Sequence, residues 1–201
     1  TLPRLEEAMK DGYHHGNLKE QLILAGIDMI NRDGIEGLSL RKAADKCGVS
    51  HGAPYSHFKD KNEYLQNINA FVEEEFSKAL LDADNKETGA NTVVKMAKAY
   101  VRFFSGNPNY YKFFMDYADF RIEISETEIS CENSRPFEIF RSAAQEYLKG
   151  LPKDRMAMNI IKMWAMVQGI TILAVMPSVS CHMDWEEYTQ RLICADKEDN
   201  I

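Results

Sequence analysis

The sequence predicts an all-α protein, with an N-terminal three-helix head and a C-terminal helical bundle. Apolar residues recur at steps of three and four in one segment after another, which is the period of a helix face. Helix starts are written at Asn17 with Glu20, Ser39, Asp60 with Glu63, Asn107 before Pro108, Ser134 before Pro136, and Asp184 with Glu187; stops are written at Gly34, Gly48, Gly106 and Gly150. The stretch Ser39–Lys61, SLRKAADKCGVSHGAPYSHFKDK, reads as a helix, a tight turn and a second short helix.

Residues 1–16, punctuated by Pro3, Gly12 and Gly16, read as an arm. Its Arg4, Lys10, His14 and His15 could follow a minor groove, but a frayed terminus is the favoured reading. Leu18, Leu22, Ala25, Gly26 and Met29 line the first helix, which ends at Gly34. In the next, Ser39 supplies the N-cap, Leu40, Ala43, Ala44 and Cys47 form the apolar stripe, and Gly48 the left-handed C-cap. Val49 is expected to be a buried anchor, and Ser50 to cap a second helix running to about Phe58. Pro54 interrupts that helix: it removes a backbone N–H and crowds the Ser50 carbonyl, so the helix starts late or opens.

From Asp60 a long helix continues to about Ala83, with Leu65, Ile68, Val72, Phe76 and Ala79 on one side. The polar run DADNKETGAN reads as a connection. Val94, Ala97, Val101 and Phe104 mark another helix, and Tyr110, Tyr111, Phe113, Phe114 and Tyr117 the one after Pro108. Residues 119–133 alternate at Ile122 and Ile124, but a single strand without a partner is better read as a loop. Phe137, Phe140, Ala144 and Tyr147 face inward from the following helix. Met156–Met176 is long and apolar enough for a bilayer, yet Asn159, Lys162 and Gln168 are costly in lipid, so a buried central helix is expected. Trp185, Tyr188 and Leu192 share a side of the last helix.

The net charge of −7 is unevenly placed: residues 1–61 carry nine Lys/Arg and nine Asp/Glu, the remainder fifteen and twenty-two. A neutral, His-bearing head on an acidic body is compatible with DNA binding, because patch charge decides rather than the total. Cys47, Cys131, Cys181 and Cys194 are scattered, which suggests neither a zinc site nor a disulfide framework. Thr1–Asn17 has no apolar run of signal-peptide length, and the expected setting is a reducing cytoplasm with no membrane partner. No Gly-rich phosphate loop, G-x-S-x-G elbow or H-E-x-x-H is present, and Glu73, Glu74 and Glu75 fan out around a helix rather than converge. Neither catalytic residues, nor a metal site, nor a cofactor is expected.

A turn containing glycine between two helices is the form in which the second helix enters a major groove. The run GVSHGAPYSHFKDKNEYL is similar to the signature of the TetR family of bacterial transcriptional regulators, through its Gly-Val-Ser turn, Tyr-x-His-Phe and following Lys. The likeness extends upstream through SLRKAADKC to YHHGNLKEQLILAGIDMI. Beyond that it thins to a pattern of about nine helices. The resemblance implies a DNA-binding domain over residues 1–62, joined by the long helix to an effector-binding and dimerisation domain over residues 63–201, with the tilt of that helix carrying the signal.

Tyr55, His57 and Lys61 are expected on phosphates, Ser50, His51, Gly52 and Pro54 near base edges, and Ser39 and Arg41 as anchors of the other helix. Phe76, Met96, Tyr100, Phe103, Tyr110, Phe114, Tyr117, Phe137, Phe140 and Trp164 exceed what a bundle of this length needs, and are expected to line an apolar effector pocket in which Gln168 orients the guest. A solid core is the plainer account of the same residues. In one TetR subgroup with a similar YHHGNL start the corresponding stretch carries Trp-x-x-x-His-Gly; here WAMVQG places Gln168 at that histidine. Met156, Ile160, Met163, Val167, Ile170 and Ala174 recur in steps of four and three, the spacing of a packing seam, and predict a homodimer through the last two long helices. The favoured reading is a repressor released from a palindromic operator by a small apolar or aromatic ligand; a TetR-like adaptor that binds protein instead of an operator stays open, and an all-α enzyme is remote.

Overall fold

The computed structural model describes residues 17–83, 90–106, 108–117 and 119–198. The arm with Arg4, Lys10, His14 and His15, the cap Asn107, most of the connection after Ala83 and the Cys194 side chain lie outside the described residues. Among these residues are eight α-helices and one pair of strands: α1 (Leu18–Asp33), α2 (Leu40–Cys47), α3 (Lys61–Ala83), α4 (Ala90–Ser105), α5 (Pro108–Tyr117), β1 (Arg121–Ile124), β2 (Ile129–Glu132), α6 (Arg135–Tyr147), α7 (Lys153–Val175) and α8 (Trp185–Glu198). Short 3-10 turns occupy Ile35–Gly37 and Ala53–Ser56.

The expected caps form. Asn17 accepts from the Glu20 N–H and Ser39 from that of Lys42, while Gly48 takes φ 68° and ψ 28°, the left-handed conformation glycine adopts at least cost. Asp60 accepts from the Glu63 N–H at 2.9 Å, and the Glu63 carboxylate reaches back to the Lys59 N–H at 2.6 Å. Ser134 caps α6, and Asp184 accepts from the N–H groups of Glu186 and Glu187.

Two compact units partition the chain, Thr1–Glu75 with Asn107–Ala118 and Phe76–Gly106 with Asp119–Ile201, and the division falls inside α3. In the first unit, Leu22, Ala25, Ile27 and Ile30 of α1, Ala43 and Ala44 of α2, and Tyr64, Ile68 and Val72 of α3 are all fully buried. The Tyr64 hydroxyl donates to the Leu22 carbonyl. Gly26 is needed where α1 meets α3: a Cβ there would lie 2.5 Å from the Ile68 methyl and 2.5 Å from the Tyr64 oxygen. α5 joins this unit, with Tyr110, Phe113 and Phe114 buried and the Asn109 amide donating to the Asn31 carbonyl at 3.0 Å.

The second unit holds two apolar clusters. Ala97 and Val101 of α4 meet Val167 and Ile170 of α7, flanked by Trp185, Leu192 and Ile193 of α8. Ile129 of β2, Phe137 and Ala144 of α6 and Ile160 of α7 form the other.

Two expectations need correction here. Residues 119–133 are not a loop: β1 pairs antiparallel with β2, Ile122 opposite Cys131 and Ile124 opposite Ile129. The alternation seen at Ile122 and Ile124 repeats at Ile129 and Cys131, and Ser125 closes the turn by bonding the Glu128 carbonyl and N–H. Nor is α7 buried all round. Ala157, Ile160, Val167, Ile170 and Thr171 are buried, whereas Met158 is 65% exposed, Ile172 46% and Leu173 44%. The helix is long and apolar enough to cross a membrane by length and composition.

Candidate nucleic-acid interface

The turn and the short segment after it sit on the head because α2 ends at Gly48 and the chain re-enters the core at Phe58. Phe58 is 1% exposed and stacks at a tilt on Tyr64, ring centroids 4.8 Å apart, which anchors the segment's far end. Between those points the expected helix from Ser50 to Phe58 contracts to turns at His51 and Gly52 and one 3-10 turn, Ala53–Ser56. Ser50 contributes its carbonyl, which accepts from the Ala53 N–H at 2.9 Å, and the 3-10 turn has no side-chain cap. Proline explains the contraction, since it supplies no N–H and fits the first turn of a helix. Val49, expected as a buried anchor, is half-buried.

The expected contact residues divide by exposure. Arg41, Ser50, His51, Gly52, Tyr55 and Lys61 are exposed, Tyr55 at 59%, while Ser39 and His57 are half-buried. Pro54 is buried, so it shapes the segment rather than offering a contact. Gly52 has an ordinary right-handed backbone, φ −82° and ψ −23°, and a Cβ there would meet nothing within 4 Å. Neither the backbone conformation nor the neighbouring atoms among the described residues require glycine at this exposed position.

Arg41, Lys42, Lys59 and Lys61 are exposed and make no ion pair among the described residues, unlike Lys46, paired with Asp28, and Arg32, paired with Asp33. The Arg32 guanidinium, hydrogen-bonded to Asp33, holds that carboxyl below its ordinary range. These four exposed cations flank the turn in sequence, as phosphate positioning needs. Asp45 was not among the expected interface residues, yet its Oδ1 lies 2.6 Å from His51 Nε2. Its place one helical turn after Arg41 on the polar side of α2 was the available signal. Cys47 is half-buried, and burial pushes its thiol up, which disfavours the thiolate.

Several of the residues expected to line an effector pocket pack against one another within their own unit. Phe76 packs ring to ring with Tyr100 at 4.9 Å and Phe103 at 5.0 Å, and Met96 is buried on α4. Phe137 meets Phe140 at 6.2 Å and Trp164 at 5.7 Å. Tyr110, Phe114 and Tyr117 belong to the first unit, the first two buried and Tyr117 43% exposed. Gln168 is half-buried on α7. A cavity of about 240 Å³ in the second unit is lined by Thr127, Glu128, Ile129, Gln145, Lys153, Met156, Ala157 and Ile160, none of them among the expected pocket residues.

Comparison with known proteins adds the family. Residues 22–68 match the family described as bacterial regulatory proteins, tetR family, and residues 93–195 match the tetracyclin repressor-like C-terminal domain. The chain is similar to the tetracycline repressor protein class A from transposon 1721 of Escherichia coli, 38% identical over 47 residues that span 23% of this chain and 22% of that protein. A protein of unknown function from Rhodococcus sp. RHA1 superposes with a TM-score of 0.69 at 21% identity, covering 94% of this chain and 98% of that one. A transcriptional regulator from the same source gives 0.61 at 16% identity over 90% and 96% of the two chains. A single-residue variant of TetR from Acinetobacter baumannii AYE, solved in complex with minocycline, gives 0.57 at 16% identity over 91% and 98%. At these identities the likeness to solved structures is one of fold.

Proposed function

The chain belongs to the TetR family of bacterial regulatory proteins and is a transcriptional regulator of that family; from this premise we propose that it is a cytoplasmic homodimeric repressor released from a palindromic operator by a small apolar or aromatic effector. DNA contact belongs to residues 1–62, effector binding and dimerisation to residues 63–201. The observation that carries the DNA role is the turn over Ser50–Tyr55, with Ser50, His51, Gly52 and Tyr55 exposed, where Gly52 leaves room for close approach and the exposed Arg41, Lys42, Lys59 and Lys61, which flank it in sequence, make no ion pair among the described residues. Tyr55, His57 and Lys61 engage phosphates, His51 faces base edges, and Ser39 and Arg41 steady α2. Pro54, though buried, holds the segment in the shape that presents them.

The dimer uses α7. Its seam of Ile160, Val167 and Ile170 is occupied within the chain, and the opposite row, Met158, Lys162, Ala165, Gly169, Ile172 and Met176, runs in steps of four and three and is exposed. Ala165 and Gly169 let a twin helix come close. Tyr188 is half-buried on α8, while Trp185 and Leu192 serve the body's own core. Two heads joined this way read half-sites about 34 Å apart or more.

An effector that fits only one arrangement of the body, among the aromatic groups around Phe76 or Phe137, shifts α3, which is continuous from Lys61 to Ala83. Linkage then requires operator DNA to weaken the effector by the same factor, about 1–3 kcal/mol for coupling of ordinary size. Selection of bound fragments from the source genome tests the reading. Enrichment of a palindrome is the expected result, with Lys61→Ala weakening binding to all sequences and lowering the salt slope by about 1. No enriched sequence, or an unchanged slope, overturns it. Thermal-shift screening followed by operator titration tests the effector: hits that bind tightly and leave operator affinity unchanged sink the coupling.

A further inference from the structure

The exposed residues of α2 are Arg41, Lys42, Asp45 and Lys46. An acid in that company is out of place on a surface meant for phosphates, where an uncompensated carboxylate repels the backbone. Asp45 is instead held in a hydrogen bond to His51, the first residue of the turn that follows Ser50. The two approach to 2.6 Å, with Asp45 62% and His51 48% exposed, so the pair sits at the surface rather than in the core. The neighbouring Gly52 leaves the space beside His51 open.

The chemistry of this contact is one-sided. An ionised carboxylate only accepts hydrogen bonds, so the ring proton facing Asp45 must be on Nε2. In a neutral imidazole that leaves Nδ1 with its lone pair. We propose that Asp45 is a positioning residue for base recognition. It holds His51 as the Nε2–H tautomer, so that Nδ1 is an acceptor and selects a base pair whose exocyclic amine, adenine N6 or cytosine N4, lies opposite it in the major groove. A carboxylate bonded to one ring nitrogen is the usual means of setting what the other can do. Asp45 thereby trades some electrostatic attraction for discrimination. This rests on the reading of His51 as a base-facing residue.

The test uses the full-length protein and duplex libraries with a randomised half-site. Parent, Asp45→Asn, His51→Ala and the double variant are compared, with thermal melts to confirm folding. Asparagine can donate or accept, so it holds the ring without choosing a tautomer. Asp45→Asn is expected to lose about fivefold in base preference at one position of each half-site, leave the other positions unchanged, and bind random DNA more tightly because a negative charge is gone. His51→Ala is expected to lose preference at the same position, and Asp45→Asn to add nothing in that background. At that position, replacing adenine by purine, or cytosine by pyrimidin-2-one, removes the amine and is expected to weaken the parent more than Asp45→Asn. If His51→Ala relaxes one position but Asp45→Asn keeps the parent's preference everywhere, the positioning role is overturned alone. If the amine-free bases bind the parent equally well, the acceptor assignment is overturned. If His51→Ala changes no preference, or the parent enriches no sequence, the reading of His51 falls and this inference with it.

Discussion

In the first unit, α1 and α3 spend their apolar residues inside a single chain: Leu22, Ile27, Ile30, Ile68 and Val72 are fully buried. In the second, α7 is the more apolar helix and yet leaves Met158, Ile172 and Leu173 between 44% and 65% exposed. Helices with the same period therefore make different demands. Those of the first unit find enough neighbours in their own chain, whereas α7 carries a second row, with Met158 and Ile172 in it, that the other described residues leave exposed. A polar rim and a closed core suit a module that meets DNA, and an unfinished apolar row suits one that meets its twin.

The largest effect is expected from charging that row. Ala165→Asp with Ile172→Asp should give a monomer by light scattering at micromolar concentration, with the helix content retained, and lower operator affinity by about two to four orders of magnitude, because two linked heads bind far better than one. A double variant of parental mass would break the contrast between the units. Within the closed core, Gly26→Val is next. The new side chain would collide with Ile68 and Tyr64, and urea unfolding should show a loss of about 3 kcal/mol or no folded protein. A neutral result would mean that α1 and α3 pack less tightly than their burial implies. Tyr64→Phe is milder: it removes the hydroxyl donated to the Leu22 carbonyl without opening space, and about 1 kcal/mol of stability should go.

The smallest effect is one of pH. Burial first, and the nearby Glu75 carboxylate second, raise the Tyr110 hydroxyl well above the ordinary range. The folded chain then keeps a proton that the unfolded chain gives up above about pH 10, so stability is full below that value and falls as pH rises beyond it. Tyr110→Phe should flatten that alkaline fall when urea midpoints are compared at about pH 8 and about pH 11. An unchanged fall would place the titration on other groups, such as Tyr111, which burial also raises.

Much of the architecture was legible because it is local. Asn17, Ser39, Asp60, Ser134 and Asp184 cap the helices they precede, and Gly48 ends α2, since each cap needs only residues three or four apart. The strand pair was half-legible. Ile122 and Ile124 declared one strand, but the second, Ile129 and Cys131, holds a single aliphatic residue, and pairing becomes visible only when Ser125 folds the turn. In the candidate interface, the residue types around the turn were readable, while the burial of Pro54 and the approach of Asp45 to His51 were not.

The sequence by itself determined where most of the long helices begin and end, that a capped helix and a glycine turn lie within Ser39–Lys61, and which family signature that stretch carries, because caps, periodicity and a short motif are properties of neighbouring residues. Only the tertiary structure decided which apolar face of α7 is used inside the chain, that α5 packs with the first unit, and which side chains meet across the turn. Hydropathy records that a residue avoids water without naming the surface that shields it, and that surface is supplied by segments distant in sequence.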